Sequence, residues 1–185
     1  LNLCDHLSGV ATKTRAIVDA AHSANPACEV LTTRKSMPGV KDLLTKAVTC
    51  GGAFPHRLGA SETVLVFDHH ITFMGGFEAF LEALPALRGR CVEKKLFVEA
   101  GPDEARRLAE AGVDGIQLDK MPVDDLAALV PELRAIDPHL TLIAAGGINL
   151  QNAAAYAATG VDGLATTAPF TAKPIDMSVR MKRAE

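Results

Sequence analysis

The chain has 185 residues, of which 48% are hydrophobic, and a formal net charge of −3 at pH 7. This length suffices for one domain with a hydrophobic core and is too short for two ordinary domains. No apolar run reaches the ~20 residues that span a bilayer. Basic residues do not form a stripe interleaved with aromatic residues. We therefore expect neither a membrane nor a nucleic acid as a partner.

Four cysteines lie far apart and form no C-x-x-C pair: Cys4, Cys28, Cys50 and Cys91. This spacing argues against a zinc site or a disulfide framework, so the simplest interpretation is small core residues in a reducing cytoplasm. The first seven residues lack a secretory signal pattern and an initiating Met, and they resemble the middle of a helix. We expect further residues upstream of them.

From about residue 28 onward, short apolar runs alternate with helical patterns. The predicted strands are 29–33, 63–68, 95–99, 115–119, 140–145 and 163–167, and the predicted helices are 41–50, 77–87, 103–111, 123–136 and 150–158. The strands are almost wholly apolar, which is typical of a parallel sheet that is covered on both faces. No long linker divides the chain, and we predict one domain over residues 1–185.

The phrase G-V-D-G occurs twice, beginning at Gly112 and at Gly160. Each of these two glycines stands where we expect a helix to end in a left-handed conformation. The same entry turn used twice favours a repeated β/α barrel. Six units are visible, fewer than the eight of a complete TIM barrel. A doubly wound sheet is the alternative fold, although no G-x-G-x-x-G follows the first strand.

In a parallel barrel the active site lies at the carboxyl ends of the strands. The residues that the sequence places there are cationic (Arg34, Lys35, His56, Arg57), acidic (Glu99, Asp119) or small (Ala145, Gly146, Gly147, Thr166, Thr167). Guanidinium groups bind carboxylate or phosphate with two parallel hydrogen bonds. A helix beginning near Asn149 would add free N–H groups for a phosphate. The two acidic residues would hold Mg²⁺ through water.

The adjacent His69 and His70 invite interpretation as a metal pair. Neighbouring side chains on an extended chain point to opposite faces, however, so we do not predict a metal site there.

Several phrases mark the strand ends in chain order: T-T-R-K-S-M-P-G at 32–39, G-G at 51–52, H-R-L-G at 56–59, D-H-H-I at 68–71, L-D-K-M at 118–121 and G-G-I at 146–148. Together they resemble the quinolinate phosphoribosyltransferase (nicotinate-nucleotide pyrophosphorylase, carboxylating) family. The resemblance implies an open, incomplete TIM-like α/β barrel of the type II phosphoribosyltransferase kind. In that family the barrel follows an α/β sandwich domain, which this chain does not contain, and the protein assembles as a homodimer or a higher oligomer.

The family joins a pyridine dicarboxylate to phosphoribosyl pyrophosphate and releases pyrophosphate and CO2. The resemblance therefore implies Mg²⁺, held at Asp119 through water, and no organic cofactor. It implies catalytic roles for Lys35, Glu99 and Asp119. It further implies that the carboxylated base is bound by Arg34, His56, Arg57 and His70, and the 5′-phosphate by Ala145, Gly146, Gly147, Thr166 and Thr167.

This chain departs from the family's pattern at several charged positions. Phe67 stands where the family has Lys, His69 replaces Asn, the paired Glu positions fall on Lys95 and Phe97, and Ile143 replaces another Glu. With these departures the chain resembles the family's molybdenum-associated ModD branch. The sequence does not specify the acceptor substrate of that branch. We predict a pentosyltransferase acting on a small carboxylated base. The alternative is a non-catalytic barrel that binds molybdate or phosphate.

Overall fold

The computed structural model describes residues 1–59 and 61–183. It begins with a long helix, α1 (Asn2–Ala24), so the first residues are helical as predicted. The buried side chains of α1 recur at helical spacing along one face: Val10, Thr14, Ile17, Val18 and Ala21. This face packs against α2 (Lys41–Cys50) and α7 (Ala153–Ala157).

Seven parallel strands form the sheet: β1 (Glu29–Thr32), β2 (Phe54–Pro55), β3 (Val64–Val66), β4 (Leu96–Glu99), β5 (Gly115–Asp119), β6 (Thr141–Ala145) and β7 (Gly163–Thr166). Their order is β2-β1-β7-β6-β5-β4-β3. The first strand pairs with the last, so the sheet curls around. In the described part of the chain β2 and β3 do not pair, and the barrel is open there. The predicted open barrel is confirmed, and the doubly wound alternative is excluded.

The remaining helices are α3 (Asp68–Phe73), α4 (Phe77–Arg90), α5 (Pro102–Glu110) and α6 (Val123–Ile136), with a short 3-10 helix at Ala168–Thr171. Every predicted strand and helix exists, with ends within three residues of the prediction. Three of the described elements were not predicted: β2, α3 and the 3-10 helix. The two-residue strand β2 carries too little pattern, and Asp68, which was assigned to the end of a strand, begins α3.

Two apolar clusters hold the barrel together. The larger lies between the sheet and the helices and includes Ile17, Phe80 and Leu118. The smaller lies inside the barrel, where Leu65, Phe97, Ile143, Ala145 and Ala165 pack against one another. The barrel interior is therefore apolar directly beneath the strand ends.

The expectation that the cysteines are small core residues holds for Cys28, which is buried. It is wrong for Cys4 and Cys50, which are exposed, and Cys91 is half-buried. Among the residues that the structure describes, no helix is both long and apolar enough to cross a membrane.

Candidate active site

A cavity of about 660 Å³ opens at the carboxyl ends of the strands. Parallel strands bring these ends to one edge, so residues distant in the sequence converge there. The lining contains every residue predicted for the site except His70, namely Arg34, Lys35, His56, Arg57, Glu99, Asp119, Ala145, Gly146, Gly147, Thr166 and Thr167.

The cationic edge of the cavity is formed by the segments after β1 and β2. Because β2 pairs with β1, with Thr32 opposite Pro55, the Arg34 and Arg57 segments emerge side by side. Burial lowers the pKa of Arg57, and the charge of Arg34 lowers it further. No carboxylate within residues 1–59 and 61–183 lies within 4.0 Å of either guanidinium. Both positive charges are therefore available to an anionic ligand.

A chain of hydrogen bonds joins the cationic edge to the acidic one. Nε2 of His56 lies 3.0 Å from Oε1 of Gln117, and Nε2 of Gln117 donates to Oε2 of Glu99 at 2.6 Å. Burial lowers the pKa of His56 despite this hydrogen bond, and Arg57 and Arg34 act in the same direction. Burial raises the pKa of Glu99, and the charge of Asp119 adds to that effect. The site therefore favours a neutral imidazole.

Gln117 was missed by the sequence analysis. Its signal is a polar side chain in the middle of an otherwise apolar strand, G-I-Q-L-D, where it is buried. Lys120 was placed at a strand end, in the phrase L-D-K-M, but was given no role. It lines the cavity, its φ is +53°, and its Nζ lies 3.5 Å from Oδ2 of Asp119.

The turn after β6 presents unpaired backbone donors. Gly146 and Gly147 both have left-handed φ values, +87° and +74°. In the described chain no acceptor faces the N–H groups of Gly146, Gly147 and Ile148. The predicted helix exists, but α7 begins at Ala153 and not near Asn149. These amides, rather than a helix end, would bind an anion.

The hydroxyl groups of Thr166 and Thr167, at the end of β7, have different hydrogen-bond partners. Oγ1 of Thr166 donates to the carbonyl of Ile148 at 2.6 Å, so its hydrogen is engaged in holding the turn after β6. Oγ1 of Thr167 lies 3.0 Å from Oγ1 of Thr33, which also lines the cavity. Thr167 and Thr33 each line the cavity with a hydroxyl, whereas Thr166 positions the turn.

The structure does not bring His70 to the cavity. Its Nδ1 accepts a hydrogen bond from the N–H of Phe67 at 3.0 Å and so closes the first turn of α3. The reasoning that His69 and His70 point to opposite faces is wrong, because both are helical and their rings are 4.1 Å apart. Among the described residues no cluster of three potential metal-ligating side chains occurs.

Three of the departures from the family's pattern lie at or beneath this cavity. Phe67 lines it, stacks on His69 with the ring centroids 5.5 Å apart, and lies 5.9 Å from the Arg57 guanidinium. Phe97 and Ile143 are buried inside the barrel below it. Lys95 is placed differently: it precedes β4, at the opposite end of the barrel, and does not line this cavity.

The fold and the cavity together define a class of protein: open parallel α/β barrels with a polar cavity at the carboxyl ends of their strands. The family model described as "Quinolinate phosphoribosyl transferase, C-terminal domain" matches residues 10–180. The chain belongs to this family.

Two curated relatives illustrate the range of similarity. The protein of Rhodobacter capsulatus named "Putative pyrophosphorylase ModD" is 45% identical over 154 residues, which cover 83% of this chain and 59% of that protein. The nicotinate-nucleotide pyrophosphorylase (carboxylating) of Mycobacterium leprae is 39% identical over 170 residues, covering 91% of this chain and 58% of that protein. The chain thus spans about three fifths of these relatives.

Solved structures agree with the fold. NadC from Streptococcus pyogenes superposes with a TM-score of 0.85 at 28% identity, covering 98% of this chain and 62% of that one. The nicotinate-nucleotide pyrophosphorylase from Francisella tularensis gives a TM-score of 0.80 at 31% identity, covering 93% of this chain and 59% of that one.

Proposed function

We propose that the protein is a pentosyltransferase that joins a small carboxylated base to phosphoribosyl pyrophosphate and releases pyrophosphate. The observation that carries the proposal is one cavity with a cationic edge at Arg34 and Arg57 and free backbone donors at Gly146 and Gly147 on its other side. An acceptor acid and a phosphorylated ribose each need one of these two edges.

The 5′-phosphate of the donor would bind the turn after β6. Backbone N–H groups that have no partner gain hydrogen bonds to phosphate oxygens at little cost in reorganisation. Thr167 adds a hydroxyl at the same edge. The carboxylate of the base would lie against Arg34 and Arg57, because a guanidinium matches a carboxylate with two parallel hydrogen bonds.

In the reaction a nitrogen of the base attacks C1′ of the ribose, and the bond from C1′ to the pyrophosphate oxygen breaks. Positive charge develops on the ribose, and negative charge develops on the leaving group. Glu99 and Asp119 would stabilise the first charge and Lys35 the second, so catalysis is mainly electrostatic. This assignment makes no use of His70.

The residues present fit Mg²⁺. This ion prefers carboxylate oxygens, keeps several waters and binds through one or two carboxylates together with substrate phosphates. Asp119 would hold it through water. When bound, the ion screens the charge of the pyrophosphate.

The proposal has three further parts: a homodimeric assembly, a cytoplasmic location and membership of the molybdenum-associated branch. The resemblance supports all three, and the cysteine pattern also supports the location.

Calorimetry with phosphoribosyl pyrophosphate and Mg²⁺ tests donor binding, and an assay of pyrophosphate release with pyridine carboxylates tests turnover. We expect saturable donor binding that is weakened in Gly146→Ala, which alters the proposed phosphate edge, and retained in Arg34→Ala, which alters the proposed carboxylate edge. Absence of donor binding at millimolar concentration would refute the proposal. Arg180→Ala, at an exposed position outside the cavity, is the matched control for a lost arginine.

The second candidate is a barrel that binds an oxyanion without catalysis. It is favoured by the apolar residues Phe97 and Ile143, which occupy the barrel interior where carboxylates are expected from the family's pattern. Tight binding of molybdate or phosphate without ribosyl turnover would support it. Turnover with any carboxylated base would exclude it.

A further inference from the structure

Lys120 has a backbone conformation that a lysine disfavours. Its φ of +53° lies in the left-handed region, where the Cβ crowds the following carbonyl oxygen. Within residues 1–59 and 61–183, Asp176 is the only other residue besides glycine with a positive φ, and it does not line the cavity. Glycine or asparagine would adopt this conformation with less strain. A strained lysine inside a candidate site points to a use for its side chain.

Contacts on both sides hold this conformation in place. The N–H of Lys120 donates to the carbonyl of Ala145 at 2.8 Å, which extends the pairing of β5 with β6 by one residue. The next residue, Met121, is buried, and its carbonyl accepts a hydrogen bond from the hydroxyl of Tyr156 at 3.0 Å. The backbone at Lys120 is therefore fixed from both sides, and its side chain starts in a fixed direction.

The side chain of Lys120 lies against the turn after β6. A Cβ placed on Gly146 would be 2.4 Å from Cγ of Lys120 and 2.8 Å from Oδ1 of Asp119. Only a glycine leaves room for both side chains there. The ammonium group of Lys120 stays beside the carboxylate, with Nζ 3.5 Å from Oδ2 of Asp119.

An anion at this turn needs a positive charge close by. The unpaired N–H groups of the turn lie next to the carboxylate of Asp119, whose negative charge repels a phosphate. Among the described residues that line the cavity, the lysine and arginine side chains are Arg34, Lys35, Arg57 and Lys120. The first three belong to the segments after β1 and β2. Lys120 is therefore the cation on the side of the turn.

The ion pair with Asp119 does not hold the ammonium group away from a ligand. The side chain of Lys120 is 81% exposed, so water and salt screen the pair. A lysine ammonium is a point charge with three donors on a flexible four-carbon stem. It can turn from the carboxylate towards a phosphate oxygen while the backbone stays in place.

We infer that Lys120 is a phosphate-binding residue: its ammonium group offsets the charge of Asp119 and contacts the phosphate that the turn after β6 binds. The inference rests on the proposed function for the molecule that carries this phosphate, the ribose donor. It explains why a strained position holds a lysine, because a glycine or an asparagine there would leave the turn beside an uncompensated carboxylate.

Calorimetry with inorganic phosphate, in buffer without metal ions, measures the contribution of the ammonium group. We expect Lys120→Gln to raise the dissociation constant about tenfold, the effect of one charged hydrogen bond, and Lys120→Arg to change it less than about threefold. About 1 M NaCl should reduce the difference between the wild type and Lys120→Gln, because salt screens the charge. Lys94→Gln, at an exposed lysine outside the cavity, is the control and should bind phosphate like the wild type.

A Lys120→Gly variant separates phosphate binding from a structural role. Glycine adopts the left-handed conformation without strain, so the urea midpoint of this variant should rise above that of the wild type. Its phosphate binding should be as weak as that of Lys120→Gln. A lower urea midpoint would show that the side chain serves stability, and it would overturn the inference.

The outcome for Lys120 is independent of the outcome for the proposed function. Equal phosphate affinity in the wild type and Lys120→Gln, or no phosphate binding by the wild type, overturns the role of Lys120. Binding of phosphoribosyl pyrophosphate and release of pyrophosphate still decide the proposed function in that case. Weakened phosphate binding in Lys120→Gln, with no pyrophosphate release by the wild type, supports the role of Lys120 and counts against a transferase.

Discussion

Asp114 and Asp162 make the same contact in two different β/α units. Each stands directly before a strand, β5 or β7, and its carboxylate accepts a hydrogen bond from the backbone N–H at the start of the neighbouring strand. The acceptor distances are 2.7 Å to the N–H of Leu96 in β4 and 2.6 Å to the N–H of Leu142 in β6. The repeated phrase G-V-D-G therefore ties adjacent strands together at the amino ends of the barrel.

Replacing Asp162 with Ala should destabilise the barrel more than replacing Asp114. Nη2 of Arg134 lies 2.7 Å from both oxygens of Asp162, whereas Nη2 of Arg88 is 3.7 Å from Asp114. Both carboxylates are partly exposed, so the ion pairs are screened and the unsatisfied strand N–H is the main cost. We expect Asp162→Ala to lower the free energy of unfolding by about 1–3 kcal/mol in urea titrations. A larger loss in Asp114→Ala would contradict this order.

Gly115 is required because the Phe97 ring occupies the space of a side chain. A Cβ at Gly115 would lie 2.5 Å from Cε1 of Phe97, inside the packed barrel interior. We expect Gly115→Ala to cost about 1–3 kcal/mol of unfolding free energy from overpacking. Gly89→Ala is the matched control, since Gly89 is in α4 with no atom within 4 Å of its would-be Cβ, and it should stabilise by up to about 1 kcal/mol. Similar effects of the two variants would refute the packing argument.

Gly146 and Gly147 should respond differently to substitution by Ala. Both have positive φ, so both variants carry backbone strain. A Cβ at Gly146 would also lie 2.4 Å from Cγ of Lys120 and 2.8 Å from Oδ1 of Asp119, whereas the space beside Gly147 is open. The turn after β6 must move in Gly146→Ala. We expect the dissociation constant for inorganic phosphate, measured by calorimetry, to rise at least about tenfold more in this variant than in Gly147→Ala.

The stability of the protein should fall as His56 is driven towards protonation. Burial lowers the pKa of His56 below its ordinary value of 6.5, so below that pH the unfolded chain takes up a proton that the folded chain does not. The free energy of unfolding attributable to this group is complete above about pH 6.5 and decreases as the pH falls towards the lowered pKa.

Urea titrations between about pH 8 and pH 5 measure this dependence. The free energy of unfolding should decrease less between these two pH values in His56→Asn than in the wild type. His139→Asn, at an exposed site, is the control and should retain the wild-type slope. A His56→Asn slope equal to that of the wild type would show that burial of His56 does not contribute.

Much of the candidate site was predictable because strand ends in a parallel barrel share one edge. Arg34 follows an apolar strand, and Glu99 and Asp119 each end one, so the sequence alone places them together. His70 was predicted for the site but caps α3 instead, because the strand before it ends at Val66 and the chain turns helical at once. Gln117 escaped prediction because a lone polar residue in an apolar strand acquires meaning only from its partners across the barrel.

The sequence by itself determined the G-V-D-G entry turns, the alternation of strands and helices, and the left-handed ends at Gly112 and Gly160, because these depend on local periodicity and on backbone conformations that glycine favours. Tertiary structure alone decided which way the sheet closes, since the pairing of β1 with β7 joins residues more than 130 positions apart. It also decided that His56, Gln117 and Glu99 form one hydrogen-bonded chain, because their contacts cross three strand ends and depend on how the curled sheet brings them within hydrogen-bond distance.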